Sequence, residues 1–505
     1  MKSSNALLPA GRIRKTCIIF SLAGALGFLY LRTFLLPATP LAAYGDEIHY
    51  FLHAVRMMHG QLPYRDFFTF VLPGTDVLYA AVFRLLGVRQ WVAQALIVAV
   101  GWLLAVVITW VASKVLSGPL ALLPGLLFLV FDFDSALDAT HHWWSTLFVL
   151  LAVGVLLGGR SSRRVLAAGA LCGVAALFTQ TQGALGAMAI ALYLVLTGGE
   201  EALRLRELVL LGAAFLVALG CGLGYFIWQV GLRAIAYWTI YFPAVYFSTL
   251  EAHTPGAYFL RMPALHRPGD LLTMVPYLFI HAAVPWIYGL CLWRLVRERK
   301  IMDRQMWSRA LLLTLVGLAL FVSVMSAATV LRLCVIAPPA MILGVWFFSG
   351  TTQLDRWMRA ALWTAGVVLL LYLPVSRQRY GGTALDMPTG RAAFGNARQY
   401  EAMQWLAERT HPGESIFDDP GAAFALRLES AGPLDYVTTG EFTRPEQVAA
   451  VVRALEQRRT RFVYLFPDLY ATPRTGDNLG PFRDYLSNNY HLAKAAPSGQ
   501  MWERN

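Results

Sequence analysis

An all-α polytopic membrane protein carrying a small C-terminal α/β part outside the bilayer is the fold class that this sequence predicts, and three observations predict it. Of 505 residues, 57% are hydrophobic and only 14% charged, with a mean hydropathy of +0.52, whereas a water-soluble globule carries about a quarter of its residues as charges. Apolar runs of about 16 to 24 residues recur from Thr16 to Pro374, each long enough for a hydrocarbon core of about 30 Å. From Ser376 onward the pattern becomes that of a soluble domain.

The N-terminal tail holds Lys2, Arg12, Arg14 and Lys15, which the positive-inside rule assigns to the cytoplasm. The first span, about 16–36, then exits outward; it lacks a small-residue cleavage site and reads as a retained signal anchor. The next apolar stretch, "FTFVLPGTDVLYAAVFRLLG", is interrupted by Pro73, Gly74, Asp76 and Arg84. Charge parity decides its place. If it spans, Lys114 falls outside; if it lies along the outer interface, every later basic cluster falls inside. Those clusters are Lys114, then Arg160 with Arg163 and Arg164, Arg204 with Arg206, Arg294 to Arg304, and Arg356 with Arg359. The interfacial reading is therefore taken.

The remaining spans are about 91–113, 118–132, 143–159, 165–179, 184–198, 207–229, 272–293, 310–328, 330–349 and 360–375, about eleven in all with the first. The C-terminus then lies outside. Residues 1–375 form the membrane part, with juxtamembrane helices in a first outer loop, 37–90, and residues 376–505 the extracytoplasmic part. In the latter, "ARQYEAMQWLAER" and "RPEQVAAVVRALEQRR" have helical spacing, and "ESIFDD" and "RFVYLF" read as short buried strands. No catalytic motif stands out there, and a turn before Pro420 accounts for Asp418 and Asp419.

The net charge of +12 does not point to nucleic acid, because the basic residues sit in topological clusters and no nucleic-acid module is present. The five cysteines lie in or beside apolar runs with no metal-ligand spacing, as small buried hydrophobes do. Phosphate-cradling Gly-rich loops and a Ser-His-Asp elbow are also missing.

Three outer features can carry chemistry. The first is Asp46-Glu47, opening "GDEIHYFLHAVRMMHGQLPYRDF", whose Ile48, Phe51, Leu52, Val55 and Met58 follow helical spacing. Asp46 sits where an N-cap would, which explains one acid and leaves Glu47 unused. The second is "DFDSALDATHHWW", in which Asp132, Asp134, Asp138, His141 and His142 either bind a divalent cation, act as acid and base, or form a solvated polar loop. Asp138 and His142 are the metal-ligand candidates, and a divalent cation is the only cofactor the pattern suggests. The third is Arg332 in "ATVLRLCVIAPPAMIL", which either pairs with an anionic group such as a lipid phosphate or snorkels to the interface. A further outer stretch at 231–270, "AYWTIYFPAVYFSTLEAH", is an aromatic belt or a substrate contact.

Together these motifs resemble the bacterial GT-C superfamily of membrane glycosyltransferases. The nearest group is the glycosyltransferase-39-like one, with protein O-mannosyltransferases and the lipid A aminoarabinose transferase. The resemblance rests on the acid pair in the first outer loop, the "LPGTDVLYAAVFRLLG" segment, an acid after the third span, and the Arg before Pro-Pro in "RLCVIAPP". Pro73-Gly74 stands where the family has Pro-Pro, and "ALDATHH" where it has Arg-x-Asp. The resemblance implies a multi-pass enzyme of the cytoplasmic membrane that takes a sugar from a polyprenyl-phosphate donor, with inversion, to a hydroxyl on a protein, lipid or glycan. It implies Asp46 as general base, Glu47 orienting it or holding the acceptor, and Arg332 on the donor phosphate. Tyr50, Arg65, Asp138, His141 and His142 are then substrate-binding residues. An oligosaccharide ligase or a lipid-linked glycan transporter would share the topology; a transporter calls for internal repeats or broken midplane helices, and Gln180 and Gln182 near a span end are the nearest hint.

Overall fold

The structure, a computed structural model, describes residues 10–43, 45–198, 201–247, 271–465, 477–496 and 499–505. Helix α1 (Ala10–Thr33) leads into a hairpin of β1 (Phe34–Leu35) and β2 (Thr39–Pro40), followed by α2 (Glu47–Met58) and α3 (Gly74–Leu86). The 13 residues of α3 reach about 20 Å, short of a bilayer core. The segment assigned to the interface by charge parity is thus a short helix, with Thr75, Asp76, Tyr79 and Phe83 buried. Its first residue abuts α7: a Cβ on Gly74 would stand 2.7 Å from the Leu177 carbonyl oxygen.

The bundle continues with α4 (Gln90–Ala112), α5 (Leu123–Leu127), α6 (His141–Leu157), α7 (Ser162–Phe178), α8 (Gln180–Thr197) and α9 (Glu201–Val230). After α10 (Leu232–Ala236) and α11 (Phe242–Tyr246) come α12 (Leu271–Leu278), α13 (Val284–Arg297), α14 (Arg304–Val324), α15 (Val330–Val335), α16 (Pro338–Phe347) and α17 (Gln353–Tyr380). Among the described residues, seven helices are long and apolar enough to cross a membrane, and α6 and α16 are shorter apolar helices. The chain is a multi-pass membrane protein. Wider π-type turns interrupt the helical runs at Phe128–Asp132, Tyr237–Tyr241 and Phe279–Ala283.

Two stretches differ from the sequence expectation. The run at 330–349 is two helices, α15 and α16, because Pro338 and Pro339 lack the N–H groups that a continuous helix needs. They sit in the first turn of α16 instead, where those donors would go unused. The acidic stretch from Asp132 is not a solvated loop. Asp132 is fully buried at a helical turn, and Asp134 is bonded by the Arg32 guanidinium at the end of α1.

The C-terminal part follows α17. Strands β3 (Thr383–Leu385) and β4 (Ala392–Phe394) pair antiparallel, and α18 (Ala397–Ala407) leads to the main sheet. That sheet holds β5 (Ser415–Phe417), β6 (Glu429–Ser430), β7 (Phe462–Leu465), β8 (Tyr490–Ala496) and β9 (Gly499–Arg504), in the order β6-β5-β7-β9-β8. β6, β5 and β7 run parallel, so the residues leaving β5 and β6 emerge at one end of the sheet. Helices α19 (Pro420–Ala425), α20 (Pro445–Arg458) and α21 (Gly480–Asn489) cover it. Both helices and both strands expected in this part are present as α18, α20, β5 and β7.

This part shares its packing with the outer loop. Phe424 of α19 packs against Phe51 of α2 and stacks with Phe83 of α3, and Leu52 belongs to the same apolar cluster as Phe394, Ile416 and Phe462. The α2 helix is therefore clasped between the bundle and the sheet.

Candidate functional site

Helix α2 arises from apolar residues on one face, and it buries Ile48, Phe51, Leu52 and Ala54. Asp46 holds the N-cap position, yet its carboxylate accepts no backbone N–H of the helix. The capping explanation for this acid is thus set aside. Asp46 is exposed and lines a cavity of about 830 Å³.

The cavity opens where the ends of several elements meet. Along α2 it is walled by Asp46, His49, Tyr50 and His53; across from them lie His141 and His142 at the start of α6, and Arg332 of α15. Asp46 and Arg332 bear on each other electrostatically, and both act on Tyr50 and Tyr436. The half-buried Arg332 places its guanidinium 5.1 Å from the centre of the Phe247 ring and donates to the Ala327 carbonyl at 3.2 Å. A second wall is apolar and aromatic, with Phe68, Phe70, Pro243, Phe247 and Phe442. The aromatic stretch at 231–270 thus reaches the cavity through its first part; residues 248–270 lie outside the described residues. A chamber with a carboxylate, a guanidinium and an aromatic flank can hold an anionic headgroup on an apolar chain and a hydroxyl beside a base.

The C-terminal part supplies a third wall. Asp435 and Tyr436 follow β6 and reach the cavity, as does Phe442. A buried charge network pins them. His53 Nε2 lies 2.7 Å from Asp435 Oδ2, and its Nδ1 3.3 Å from Asp76 Oδ1. Arg56 Nη1 donates to the other Asp435 oxygen at 3.0 Å, and Nη2 to the Gly432 carbonyl at 3.2 Å. The Phe68 N–H donates to the Pro433 carbonyl at 2.7 Å. All four charged side chains are buried. Burial pulls the His53 imidazolium down, but the carboxylates of Asp435 and Asp76 outweigh it and raise it to about 9. Burial opposes ionisation of Asp435 as well, yet His53, His49 and Arg56 hold it well below the usual carboxylate range. The network sets two basic side chains against two carboxyl groups, of which Asp76 is raised by its own burial, and such pairing is how charges this buried are accommodated.

Of the other residues picked from the sequence, Tyr50 packs 5.5 Å from the His141 ring. Burial, then Asp76 and Asp46, push its phenol well above the ordinary value, so it stays a neutral donor. His141 Nδ1 pairs with Thr179 Oγ1 at 2.8 Å, tying α6 to the start of α8. Glu47 is buried behind Asp46 and does not line the cavity; its charge bears on Tyr79 instead. Asp138 also lies off the cavity, accepting the Thr140 N–H at 3.1 Å. Burial outweighs that bond and pushes it up to about 7, with Asp46 adding to the rise. Arg65 is exposed and bonded to Asp66 at 2.8 Å, away from the cavity. Among the described residues no set of three or more His, Cys, Asp or Glu is arranged to hold a metal ion. Asp138 and His142 are thus not part of such a set.

Sequence reasoning missed His49, His53, Asp435 and Tyr436, and took Gln182 only as a hint of a transporter. The available signal was His49 and His53 one helical turn apart on the face following the acid pair. Asp435 and Tyr436 lie about 390 residues from Asp46 in "GPLDY", where nothing local marks them.

No family model and no curated protein matches the chain. Its structure is similar to ArnT from Cupriavidus metallidurans bound to undecaprenyl phosphate, with a TM-score of 0.60 and 13% identity, over 97% of this chain and 98% of that one. It is also similar to the archaeal oligosaccharyltransferase AglB from Archaeoglobus fulgidus, in complex with an inhibitory peptide and a dolichol-phosphate, with a TM-score of 0.56 and 12% identity, over 97% of this chain and 74% of that one. The apo form of an oligosaccharyltransferase from Archaeoglobus fulgidus gives a TM-score of 0.55 at 12% identity, over the same shares. These neighbours are GT-C glycosyltransferases, and the likeness at such identities is one of fold. The GT-C architecture expected from the outer-loop motifs is the architecture of this chain.

Proposed function

We propose that this protein is a polyprenyl-phosphate-dependent glycosyltransferase, working at the outer face of a bacterial cytoplasmic membrane. The observation that carries the reading is that Asp46 and Arg332, 286 positions apart in the sequence, line one cavity with an aromatic flank. The fold adds support, since two proteins that share it were solved with undecaprenyl phosphate and dolichol-phosphate bound.

In this reading the prenyl chain lies along Phe68, Phe70 and Phe247, and Arg332 holds the donor phosphate. The acceptor hydroxyl sits against Asp46, which takes its proton as the oxygen attacks the anomeric carbon from the face opposite the phosphate. The C1–O bond to phosphate breaks, the configuration inverts, and the guanidinium offsets the charge gathering on the leaving group. A sugar phosphodiester is already activated, so no nucleotide is needed outside the cell. Tyr50 and Tyr436 remain neutral donors beside the reacting atoms. The sugar is a hexose or pentose, and the acceptor a protein, lipid or glycan hydroxyl. The same reading has about eleven spans, the N-terminus in the cytoplasm, and a division near residue 376 between the membrane part and the extracytoplasmic part.

The test uses the full-length protein in nanodiscs with labelled polyprenyl-phosphate sugars. Asp46→Asn, with folding verified, should lower kcat by about 10²- to 10⁴-fold while undecaprenyl phosphate still binds. Arg332→Gln should weaken that binding by about tenfold or more. An Asp46→Asn protein that transfers sugar at the wild-type rate removes Asp46 as the base.

A further inference from the structure

We propose that Gln182 reads a hydroxyl group of the transferred sugar, a step that rests on the function proposed above and assigns the polar corner of its cavity. Gln182 lies in the first turn of α8 and lines the cavity. It is 0% exposed, and neither its Oε1 nor its Nε2 has a hydrogen-bond partner among the described residues. Buried side-chain amides are rarely left so, because an unmet donor or acceptor loses its water and gains nothing in return.

A second glutamine two positions nearer the helix start shows the contrast. Gln180 spends its Nε2 on the carbonyls of Phe70 at 2.9 Å and Thr239 at 3.0 Å, stitching α8 to the outer loop and to the turn before α11. That glutamine is structural. Gln182 has no such duty, and its backbone cannot retreat: a Cβ on Gly183 would stand 2.2 Å from the Ala176 nitrogen, so α8 is pressed against α7 at this turn. The amide is held at the cavity wall by packing alone.

The chemistry of the orphan group selects its ligand. A phosphate offers only acceptors and would leave Oε1 unmet. A prenyl chain would satisfy neither atom. A hydroxyl both donates and accepts, and two neighbouring hydroxyls on a sugar ring match the side-by-side acceptor and donor of an amide. His142, on the same cavity, is buried with its Nδ1 also lacking a hydrogen-bond partner, and supplies a second polar contact for the ring. The cavity thus divides the donor by chemistry: aromatic rings for the lipid, Arg332 for the phosphate, and Gln182 with His142 for the sugar.

The experiment compares two kinds of probe on the full-length protein in nanodiscs. One is bare undecaprenyl phosphate; the other is a panel of undecaprenyl-phosphate glucose, galactose, mannose and arabinose. Wild type should bind at least one sugar-bearing lipid more tightly than the bare phosphate. Gln182→Leu should leave the affinity for undecaprenyl phosphate within about twofold and weaken the preferred sugar lipid by about tenfold, as the loss of a hydrogen-bonded pair does. Without any substitution, the wild-type protein should reject by a similar factor a monodeoxy version of the preferred donor lacking the hydroxyl that is read. Equal weakening of both probes by Gln182→Leu would mean a reshaped cavity and overturn the assignment. No weakening would mean that water meets the amide, and would overturn it too. A wild type that binds undecaprenyl phosphate but gains nothing from any sugar would sink this assignment while leaving the lipid-phosphate site standing. Failure to bind undecaprenyl phosphate at all would sink the proposed function itself.

Discussion

His53 sits between Asp435 at 2.7 Å and Asp76 at 3.3 Å, and through Asp435 it fastens a wall of the cavity to α2. Its imidazolium is favoured up to about pH 9 in this arrangement, against an ordinary 6.5 once the loop after β6 is undocked and the water that enters screens His53 from Asp76 as well. At about 1.4 kcal/mol per pH unit of difference, the charged histidine favours docking by about 3 kcal/mol. The raised value sets the sign. The contribution is fully present below pH 6.5, declines between about 6.5 and 9, and is gone above that. Asp435, held low, acts in a separate acidic window: its contribution is present above the ordinary carboxylate value and is lost only as pH falls through its depressed one. Hydrogen-exchange protection of residues 430–436 in nanodiscs, corrected for intrinsic exchange, reads the docking equilibrium. Wild type should lose about 3 kcal/mol of protection between pH 6 and pH 9.5. His53→Gln should start up to about 3 kcal/mol lower at pH 6 and show no such decline, because the buried Asp435 carboxylate keeps Arg56 but has lost the cation that titrates in this range. Parallel pH profiles for the two proteins would refute the network as the fastening.

Two other perturbations probe the frame around the site. Gly74→Ala adds a methyl 2.7 Å from the Leu177 carbonyl, so α3 must shift off α7, and thermal unfolding in detergent should show a loss of about 1–3 kcal/mol. Arg32→Ala leaves the mostly buried Asp134 carboxylate without its guanidinium and should cost up to about 3 kcal/mol, seen as a lowered melting temperature. Removing both charges in Arg32→Ala/Asp134→Ala should recover part of that loss, whereas a double variant no better than the single would show that the pair's charge is not what matters.

The membrane architecture was legible in the sequence because the bilayer imposes it locally. Every stretch of about 20 apolar residues must become a helix to satisfy its own backbone, and the basic clusters record which side each end occupies. Charge parity argued for an interfacial place for Gly74–Leu86, and the helix found there has 13 residues, fewer than a bilayer core calls for. Where a local rule was broken by a local residue, as at Pro338-Pro339, the break was written in the sequence but masked by the hydropathy around it.

The site was legible only in part. Asp46 and Arg332 stood out because a charge at the lip of an apolar run is costly wherever the chain goes next. Glu47, Arg65 and Asp138 share that composition, yet the structure turns them away from the cavity: α2 points adjacent side chains in different directions, and Asp66 and Thr140 engage the other two. The cap proposed for Asp46 required a side-chain geometry that no spacing rule specifies. Asp435 and Tyr436 carry no local signature, since each matters through a partner or a void supplied by a distant segment. The sequence by itself determined the apolar helices and the charged groups at their ends, because water, lipid and backbone act on a few neighbouring residues at a time. Only the tertiary structure decided which of those groups share a cavity and which neutralise one another, because charge pairing and enclosure depend on contacts made hundreds of residues apart.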